Sequence, residues 1–439
     1  MSNAYDTKIS KSNLDRIRNR NMSPSEIIDF LENGAIYRSF PDVLRSVYPE
    51  EDLARILREG LAAQSEQPLT PKEADSLRHT ISNWMGGSSV PQSREQLFRI
   101  CFALSLDESQ TSRVLASASE TGIHYRDPKE LVYAFALRTG LKYPEAVALN
   151  QEMEAIYQPV VQAAEEERLK KWQKKEKVYH EKRREVRRQQ QKNAKRGGWA
   201  EPYLGPIGQE EEPNFLTQQV AHRFEQVTNR EELRQFFLDT GADLGFIHES
   251  AYEKFWHLLL LLQEPDDPIA PNQDAEQADA EVYSLERIAR TYFRMNVPTG
   301  KKTGGYDYLQ KAIKKNWPGS TELQKMKSRK IDVSRKALLL LFLITEDFLY
   351  SEDLQYSDRS DEDEAFFLLE EEDSPRDQLE IALKKVNLFL ETYGMNQLDP
   401  GNPFDCLILY AMAAEYGTEF LSDKFSAALE VLFSRITDK

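Results

Sequence analysis

Residues 80–109 read TISNWMGGSSVPQSREQLFRICFALSLDES and give the clearest structural pattern in the chain. Ile81 and Trp84 are three residues apart, which places both side chains on one face of a helix. Gly87 can end that helix, because glycine adopts a left-handed conformation at little cost. Ser93 can cap the next helix, whose apolar residues recur at three- and four-residue spacing. The stretch therefore predicts two consecutive helices joined by a short loop.

The same spacing recurs along nearly the whole chain of 439 residues. Apolar residues return every three or four positions, and no stretch alternates Val, Ile and Thr with polar residues as strands do. The sequence therefore predicts an all-α fold. In the first compact region it predicts a helix after Ser23 and further helices at residues 53–61, 72–85, 94–104 and 128–137.

The quoted stretch resembles the second half of a lambda-repressor-like helix-turn-helix domain, the type found in the XRE group of bacterial regulators. In that group the recognition helix ends in a Thr-Ile-Ser-x-Trp-x-x-Gly run, matched by Thr80, Ile81, Ser82, Trp84 and Gly87. The following helix opens with Pro-Ser and carries Leu-x-x-Ile-x-x-Ala-Leu, matched by Pro91, Ser93, Leu97, Ile100, Ala103, Leu104 and Asp107. The resemblance implies a DNA-binding, dimeric regulator in which Arg78, His79 and Asn83 are nearest the base edges.

The stretch also departs from that family. About ten residues, Ala62 through Pro71, separate the two candidate helices, whereas the motif uses a turn of about three or four. The helix at 72–85 carries two bases and two acids, so its attraction for phosphates is weak. The sequence leaves open whether this region contacts nucleic acid or only builds a helical core.

Charge is distributed unevenly along a chain whose net charge is −16. Residues 168–196 hold fourteen bases against three acids, and the seven-residue spacing of Trp172, Tyr179 and Val186 predicts a long, mostly solvated helix. This basic arm either contacts nucleic acid or an acidic protein partner, or serves as a self-shielded spacer. The residues expected to make the contacts are Lys174, Lys175, Arg183, Arg184, Arg187 and Arg188.

A second basic cluster lies in residues 301–336, where eleven bases face three acids. Such a patch can neutralise several phosphates. The alternative is that its lysines pair with the acidic segments on either side, residues 263–281 and 352–373. The residues expected to contact DNA are Lys311, Lys314, Lys315, Lys327, Arg329 and Lys330.

An internal echo suggests two related modules. The first set is Ile81, Asn83, Trp84 and Gly86, then Ser93-Arg94 and Asp127-Pro128; the second is Ile313, Asn316, Trp317 and Gly319, then Ser334-Arg335 and Asp399-Pro400. Because the spacings differ, coincidence is the alternative.

The predicted organisation is a tail at 1–22, a helix-turn-helix-like domain at 23–150, a long basic helix at 151–196, a flexible linker at 197–215, and a second helical domain at 216–439 with acidic loops at 263–281 and 352–373.

Other classes of protein find little support in the sequence. Cys101 and Cys406 are too few for a disulfide framework or a cysteine zinc site. The six histidines show no metal-ligand spacing, and no phosphate-loop, dinucleotide or nucleophile-elbow motif is present, so we expect no enzyme activity, cofactor or metal. The longest apolar run is far shorter than the roughly 18 residues of a bilayer span, which predicts a cytoplasmic protein. Two hypotheses remain, a DNA-binding regulator and a protein–protein adaptor that uses the same fold without DNA.

Overall fold

A computed structural model of the chain describes most of its residues. They are 8–18, 22–37, 39–65, 67–87, 89–91, 93–118, 121–194, 216–263, 296–298, 305–315, 317–345, 375–413 and 421–434. Within these ranges every regular element is helical, which confirms the predicted all-α fold. The expected linker at 197–215 and nearly all of the two expected acidic loops lie outside the described residues.

Within the described residues there are eighteen α-helices. They are α1 (Lys8–Arg18), α2 (Pro24–Asp29), α3 (Phe40–Val47), α4 (Leu53–Ala62), α5 (Pro71–Met85), α6 (Arg94–Ala103), α7 (Glu108–Ala118), α8 (Pro128–Arg138), α9 (Tyr143–Ala194), α10 (Leu216–Glu225), α11 (Arg230–Thr240), α12 (Glu249–Gln263), α13 (Tyr308–Lys315), α14 (Ser320–Lys327), α15 (Arg335–Ile344), α16 (Pro375–Thr392), α17 (Pro403–Met412) and α18 (Leu421–Ser434). A π-helical turn (Phe30–Gly34) and a 3-10 turn (Gly241–Asp243) complete the set.

Side-chain caps determine where several helices begin. The Thr70 hydroxyl accepts a hydrogen bond from the Glu73 amide, and the Glu73 carboxylate accepts one from the Thr70 amide, so α5 starts with a full capping box. Ser93 accepts a bond from the Gln96 amide at the start of α6, as the sequence predicts. These bonds satisfy amide groups that the first turn of a helix leaves without partners.

The chain divides into two compact units. Unit 1 comprises residues 1–38 together with 254–439, and unit 2 comprises residues 39–253. This division differs from the boundaries expected from the sequence. The expected tail at 1–22 contains α1, which packs against α17 in unit 1, with Asn13 and Ile17 buried.

Residues 216–253, expected in the second domain, belong instead to unit 2. The physical reason lies in α8, where the Arg138 guanidinium donates to the carbonyl oxygens of Phe224 at 3.0 Å and Val227 at 3.1 Å. Phe224 lies in the last turn of α10 and Val227 just beyond it, and a cation at a helix C-terminus satisfies such carbonyls and stabilises the helix dipole. Phe224 itself is fully buried in the core of unit 2.

The core of unit 2 is built around α6 and α8. Every residue of α8 from Glu130 to Leu137 is buried, and α6 contributes Leu97, Phe98 and Ile100 to the same cluster. Helix α4 comes close to α6 because residue 60 is glycine. A Cβ atom at Gly60 would lie 2.6 Å from the carbonyl oxygen of Ala103, which is shorter than a van der Waals contact.

Helix α9 packs along the narrow stripe that the sequence predicts. Trp172 and Tyr179 are each only 6% exposed, and Trp172 lies edge-on to Tyr252 with ring centroids 4.8 Å apart. The Arg168 guanidinium donates to the carbonyl oxygen of Leu244 at 2.9 Å. Residues 241–253 therefore cover one side of α9. Most of the described side chains from 168 to 182 are exposed, in agreement with the expected mostly solvated helix.

The core of unit 1 is centred on α17. All ten residues of α17 are buried, and it packs against α1, α13, α16 and α18. Helix α15 is buried from Ala337 to Leu343, and its Phe342 stacks on Phe389 of α16 with ring centroids 3.8 Å apart. Unit 1 therefore closes around two almost entirely apolar helices.

Candidate nucleic-acid interface

Each unit contains a helix with the same local pattern. On α5, Ile81 and Trp84 are the buried pair, and Gly87 follows with a φ of 72°. On α14 the buried pair is Leu323 and Met326, again three residues apart. Arg329 then follows at the position that corresponds to Gly87, and its φ is 55°.

The next helix in each unit begins with a serine cap and an arginine that forms a two-bond ion pair. In unit 2 the Arg94 guanidinium contacts Glu130 at 2.5 and 2.7 Å. In unit 1 the Arg335 guanidinium contacts Asp405 at 3.0 and 2.9 Å. Each acid is the third residue of a helix that begins with a proline. The residue before that proline caps the helix with its side chain; it is Asp127 in unit 2 and Asn402 in unit 1.

The two units therefore repeat the same structural features, but the residues in corresponding positions are mostly not those that the sequence comparison had paired. Ile313 lies on α13 and Trp317 lies after it, so neither corresponds to a residue of α5. Asn402-Pro403, rather than Asp399-Pro400, corresponds to Asp127-Pro128. Of the three echoed pieces, Ser93-Arg94 and Ser334-Arg335 are in corresponding positions.

The two units differ in the connection that precedes the helix with this pattern, which is α5 in unit 2 and α14 in unit 1. Eight residues, 63–70, join α4 to α5, whereas four residues, 316–319, join α13 to α14. A turn of about three or four residues is typical of a helix-turn-helix motif. In unit 1 this turn is fixed by Trp317, whose ring stacks on Phe425 with centroids 5.6 Å apart.

The shared helix of unit 2 is exposed but electrically neutral. The Arg78 guanidinium pairs with Asp75 at 2.7 Å, and His79 lies 3.6 Å from the same carboxylate. Asn83 is exposed on the same helix. Residues 53–87 carry four bases and four acids, so the predicted site of Arg78, His79 and Asn83 has little attraction for phosphates.

The corresponding part of unit 1 is strongly basic. Residues 308–330 carry seven bases and one acid, a net charge of +6. Lys311, Lys325 and Lys330 are exposed, and no ion pair involves their side chains among the residues that the structure describes. Their charge is therefore not cancelled by carboxylates of the described chain.

The remaining predicted contacts of this cluster are placed less favourably. The Lys314 ammonium lies 4.8 Å from the centroid of the Tyr306 ring, a cation–π contact. Lys327 and Arg329 are half-buried, at the end of α14, where cations also stabilise the helix dipole. The side chain of Lys315 lies outside the described residues.

Polar residues at the start of α14 were not predicted from the sequence. Ser320, Thr321 and Gln324 are exposed on this helix. Their side chains can donate and accept hydrogen bonds, which is what contact with base edges requires. The turn Asn-Trp-Pro-Gly at 316–319, followed by two hydroxyl residues, was the signal that could have identified them.

The predicted basic arm is only partly described. Lys174 and Lys175 are exposed on α9, and the Lys175 ammonium pairs with Glu253 at 2.9 Å. The backbone of α9 continues to Ala194, but the side chains of Arg183, Arg184, Arg187 and Arg188 lie outside the described residues.

One contact in unit 2 joins two residues that are far apart in sequence. The Nε2 atom of His124 lies 3.3 Å from the Nδ1 atom of His248, and their rings meet at 81°. Because the two histidines are separated by 124 positions, helical spacing gives no indication of this pair.

Comparison with models of protein families gives no match to this chain, and neither curated proteins nor solved structures give a significant match. Within the described residues, no helix is both long enough and apolar enough to cross a bilayer.

Proposed function

We propose that the chain is a non-enzymatic DNA-binding regulatory protein whose main contact surface is the α13–α14 pair of unit 1. The observation that carries the proposal is the net charge of +6 over residues 308–330, on two helices joined by a four-residue turn. A helix-turn-helix places its second helix in the major groove. In this arrangement α14 reads the DNA.

The roles of the side chains follow from their exposure. Lys311, Lys325 and Lys330 contact backbone phosphates, because they are exposed cations on α13, on α14 and after α14. Gln324 faces the bases, since glutamine can form two hydrogen bonds with adenine. The predicted contacts Lys314, Lys327 and Arg329 add positive potential from partly buried positions.

The test is a salt titration of binding to a random-sequence DNA duplex. Each phosphate contact contributes about 0.9 to the slope of log affinity against log salt. The triple variant K311Q/K325Q/K330Q removes three contacts, so its slope should be smaller by roughly 2.7 than that of the unchanged chain.

Unit 2 supplies a matched control. The variant R58Q/K72Q/R78Q removes three exposed bases from the corresponding helices, α4 and α5, and so changes the net charge by the same amount. We expect it to retain the slope of the unchanged chain. An equal loss in both triple variants, or no salt-dependent binding by the unchanged chain, would contradict the proposal.

The alternative is an adaptor that uses these helices for protein contacts without DNA. One observation favours it for unit 2: the exposed face of α5 is neutral, and its Arg78 and His79 both contact Asp75. If the unchanged chain does not bind DNA, the adaptor is the better description of both units.

A further inference from the structure

Unit 2 has a charged surface that the proposed function does not use. We define the lysine ridge as Lys170, Lys174 and Lys177 of α9. At 3.6 residues per turn, these three positions fall within about 60° of each other around the helix axis. Trp172 and Tyr179, which are each 6% exposed, fall on the opposite side. The ridge faces solvent because the other side of α9 faces the core.

The backbone under the ridge is held in place. Arg168 bonds to the carbonyl oxygens of Leu244 and Ala242, and Trp172 packs edge-on against Tyr252. A surface that is already ordered loses less conformational entropy when it binds a partner. The ridge therefore presents its ammonium groups from a fixed helix.

Two neighbouring pairs of lysines on this helix differ in how they are neutralised. Lys171 pairs with Glu167 at 2.9 Å, and Lys175 pairs with Glu253 at 2.9 Å. Lys170 and Lys174 are exposed and have no ion pair within the described part of the chain. Lys177 is intermediate, since Glu181 lies 3.9 Å from it and both are exposed.

We propose that the lysine ridge is a second, sequence-independent contact for nucleic-acid phosphates. Successive ridge lysines are about 6 Å and about 4.5 Å apart along the helix. One DNA strand carries a phosphate every 3.4 Å or so along its axis, so each lysine can meet a different phosphate. The proposal shares its ligand class with the proposed function but uses none of the same residues.

The composition of the ridge favours a nucleic acid over an acidic protein. The cores of protein interfaces are depleted of lysine and enriched in aromatic residues, and the ridge contains only lysines. Glu166 and Glu181 lie at its two ends on the same side of α9. These acids confine the contact to a short segment of backbone.

The experiment compares two double variants of the full chain. K170Q/K174Q removes the lysines without ion pairs, and K171Q/K175Q removes the paired ones. Both change the net charge equally, on the same helix and at the same spacing. In salt titrations with a random-sequence duplex, K170Q/K174Q should reduce the slope by about 2, and K171Q/K175Q should leave it unchanged.

The same measurements in the K311Q/K325Q/K330Q background separate this inference from the proposed function. There, K170Q/K174Q should reduce the remaining slope again. If the unit 1 triple alone removes all salt-dependent binding, the ridge is overturned and the proposed function stands. If the ridge variant is the only one with an effect, the proposed function is overturned instead.

Two further results would overturn the ridge. One is an equal effect of the two double variants, which would show that only total charge matters. The other is binding of polyglutamate, used as an acidic polypeptide probe, that K170Q/K174Q weakens while duplex binding stays the same. Equal thermal midpoints for both variants provide the control for folding.

Discussion

The two units share a framework but differ in the surface they place on it. Both have a helix with two buried residues three positions apart, followed by a helix with a serine cap. The arginine after that serine forms an ion pair with an acid in the first turn of a later helix. Yet residues 53–87 of unit 2 are neutral, whereas residues 308–330 of unit 1 carry a net charge of +6. The buried residues therefore carry the shared framework, whereas the difference in charge lies in the exposed residues of the two units.

The largest expected effect comes from breaking the arginine–acid pairs. Arg335 and Asp405 have side chains only 6% and 3% exposed. Arg335→Ala leaves a buried carboxylate without its partner, which costs about 3–5 kcal/mol of folding stability. It also removes donors from the carbonyl oxygens of Asn396 and Gln397.

The matched change in unit 2 should cost less. The side chain of Arg94 is 30% exposed, so water can partly replace it beside Glu130. We expect Arg94→Ala to cost about 1–3 kcal/mol. Urea unfolding of both variants gives the comparison, and a larger loss for Arg94→Ala would show that the two pairs are not equivalent.

A smaller effect is expected at the two helix ends where a residue other than glycine has a positive φ. Arg329 follows α14 with a φ of 55°, and Ser105 follows α6 with a φ of 51°. Such a conformation costs a residue with a Cβ atom about 1 kcal/mol or more. Ser105→Gly should therefore raise the unfolding free energy by about 1 kcal/mol.

Arg329→Gly should gain less stability, because it also removes a half-buried side chain. If Arg329 adds positive potential at the DNA surface as proposed, the same variant should weaken duplex binding, whereas Ser105→Gly should not. Thermal melting and salt titration of the two variants provide the measurements. Equal binding by both would remove Arg329 from the proposed interface.

The smallest signal is expected from the cysteines, one in each unit. Burial raises the pKa of Cys101 to about 12 and also raises the pKa of Cys406, so neither thiol is ionised at neutral pH. Since the thiolate is the reactive form, a thiol reagent should label neither in the folded chain. In Arg335→Ala, urea at moderate concentration should expose Cys406 before Cys101, because the variant weakens unit 1. The opposite order would contradict the larger stabilisation expected from the Arg335–Asp405 pair.

The sequence predicts the helices well because their caps and apolar spacing are local. Residues 94–104 and 128–137 were expected to be helical, and α6 and α8 begin at the predicted residues. The pairing of Arg94 with Glu130 was not predicted, because the partners are 36 positions apart. Helical periodicity does not indicate which helices meet.

Part of the proposed contact surface is visible in the sequence. The cluster that includes Lys311 and Lys330 is a run of bases in the sequence, and the structure places these two side chains exposed on α13 and after α14. The turn was missed because the sequence comparison paired Trp317 with Trp84, which lies on α5. A tryptophan can pack into the core from a helix or from a turn. The sequence does not distinguish these two positions, and the stacking of Trp317 on Phe425 shows where this residue packs.

Unit 1 is assembled from segments that are distant in the chain. The Asn13 amide donates to the carbonyl oxygen of Pro400, which is 387 positions further on. At a synthesis rate of about 5–20 residues per second, α1 leaves the ribosome on the order of tens of seconds before its partner α17. Unit 2 is continuous and can fold in that interval. The apolar side of α1, with Ile17, is meanwhile open to chaperones, so slowing translation after residue 253 should prolong their association with the nascent chain.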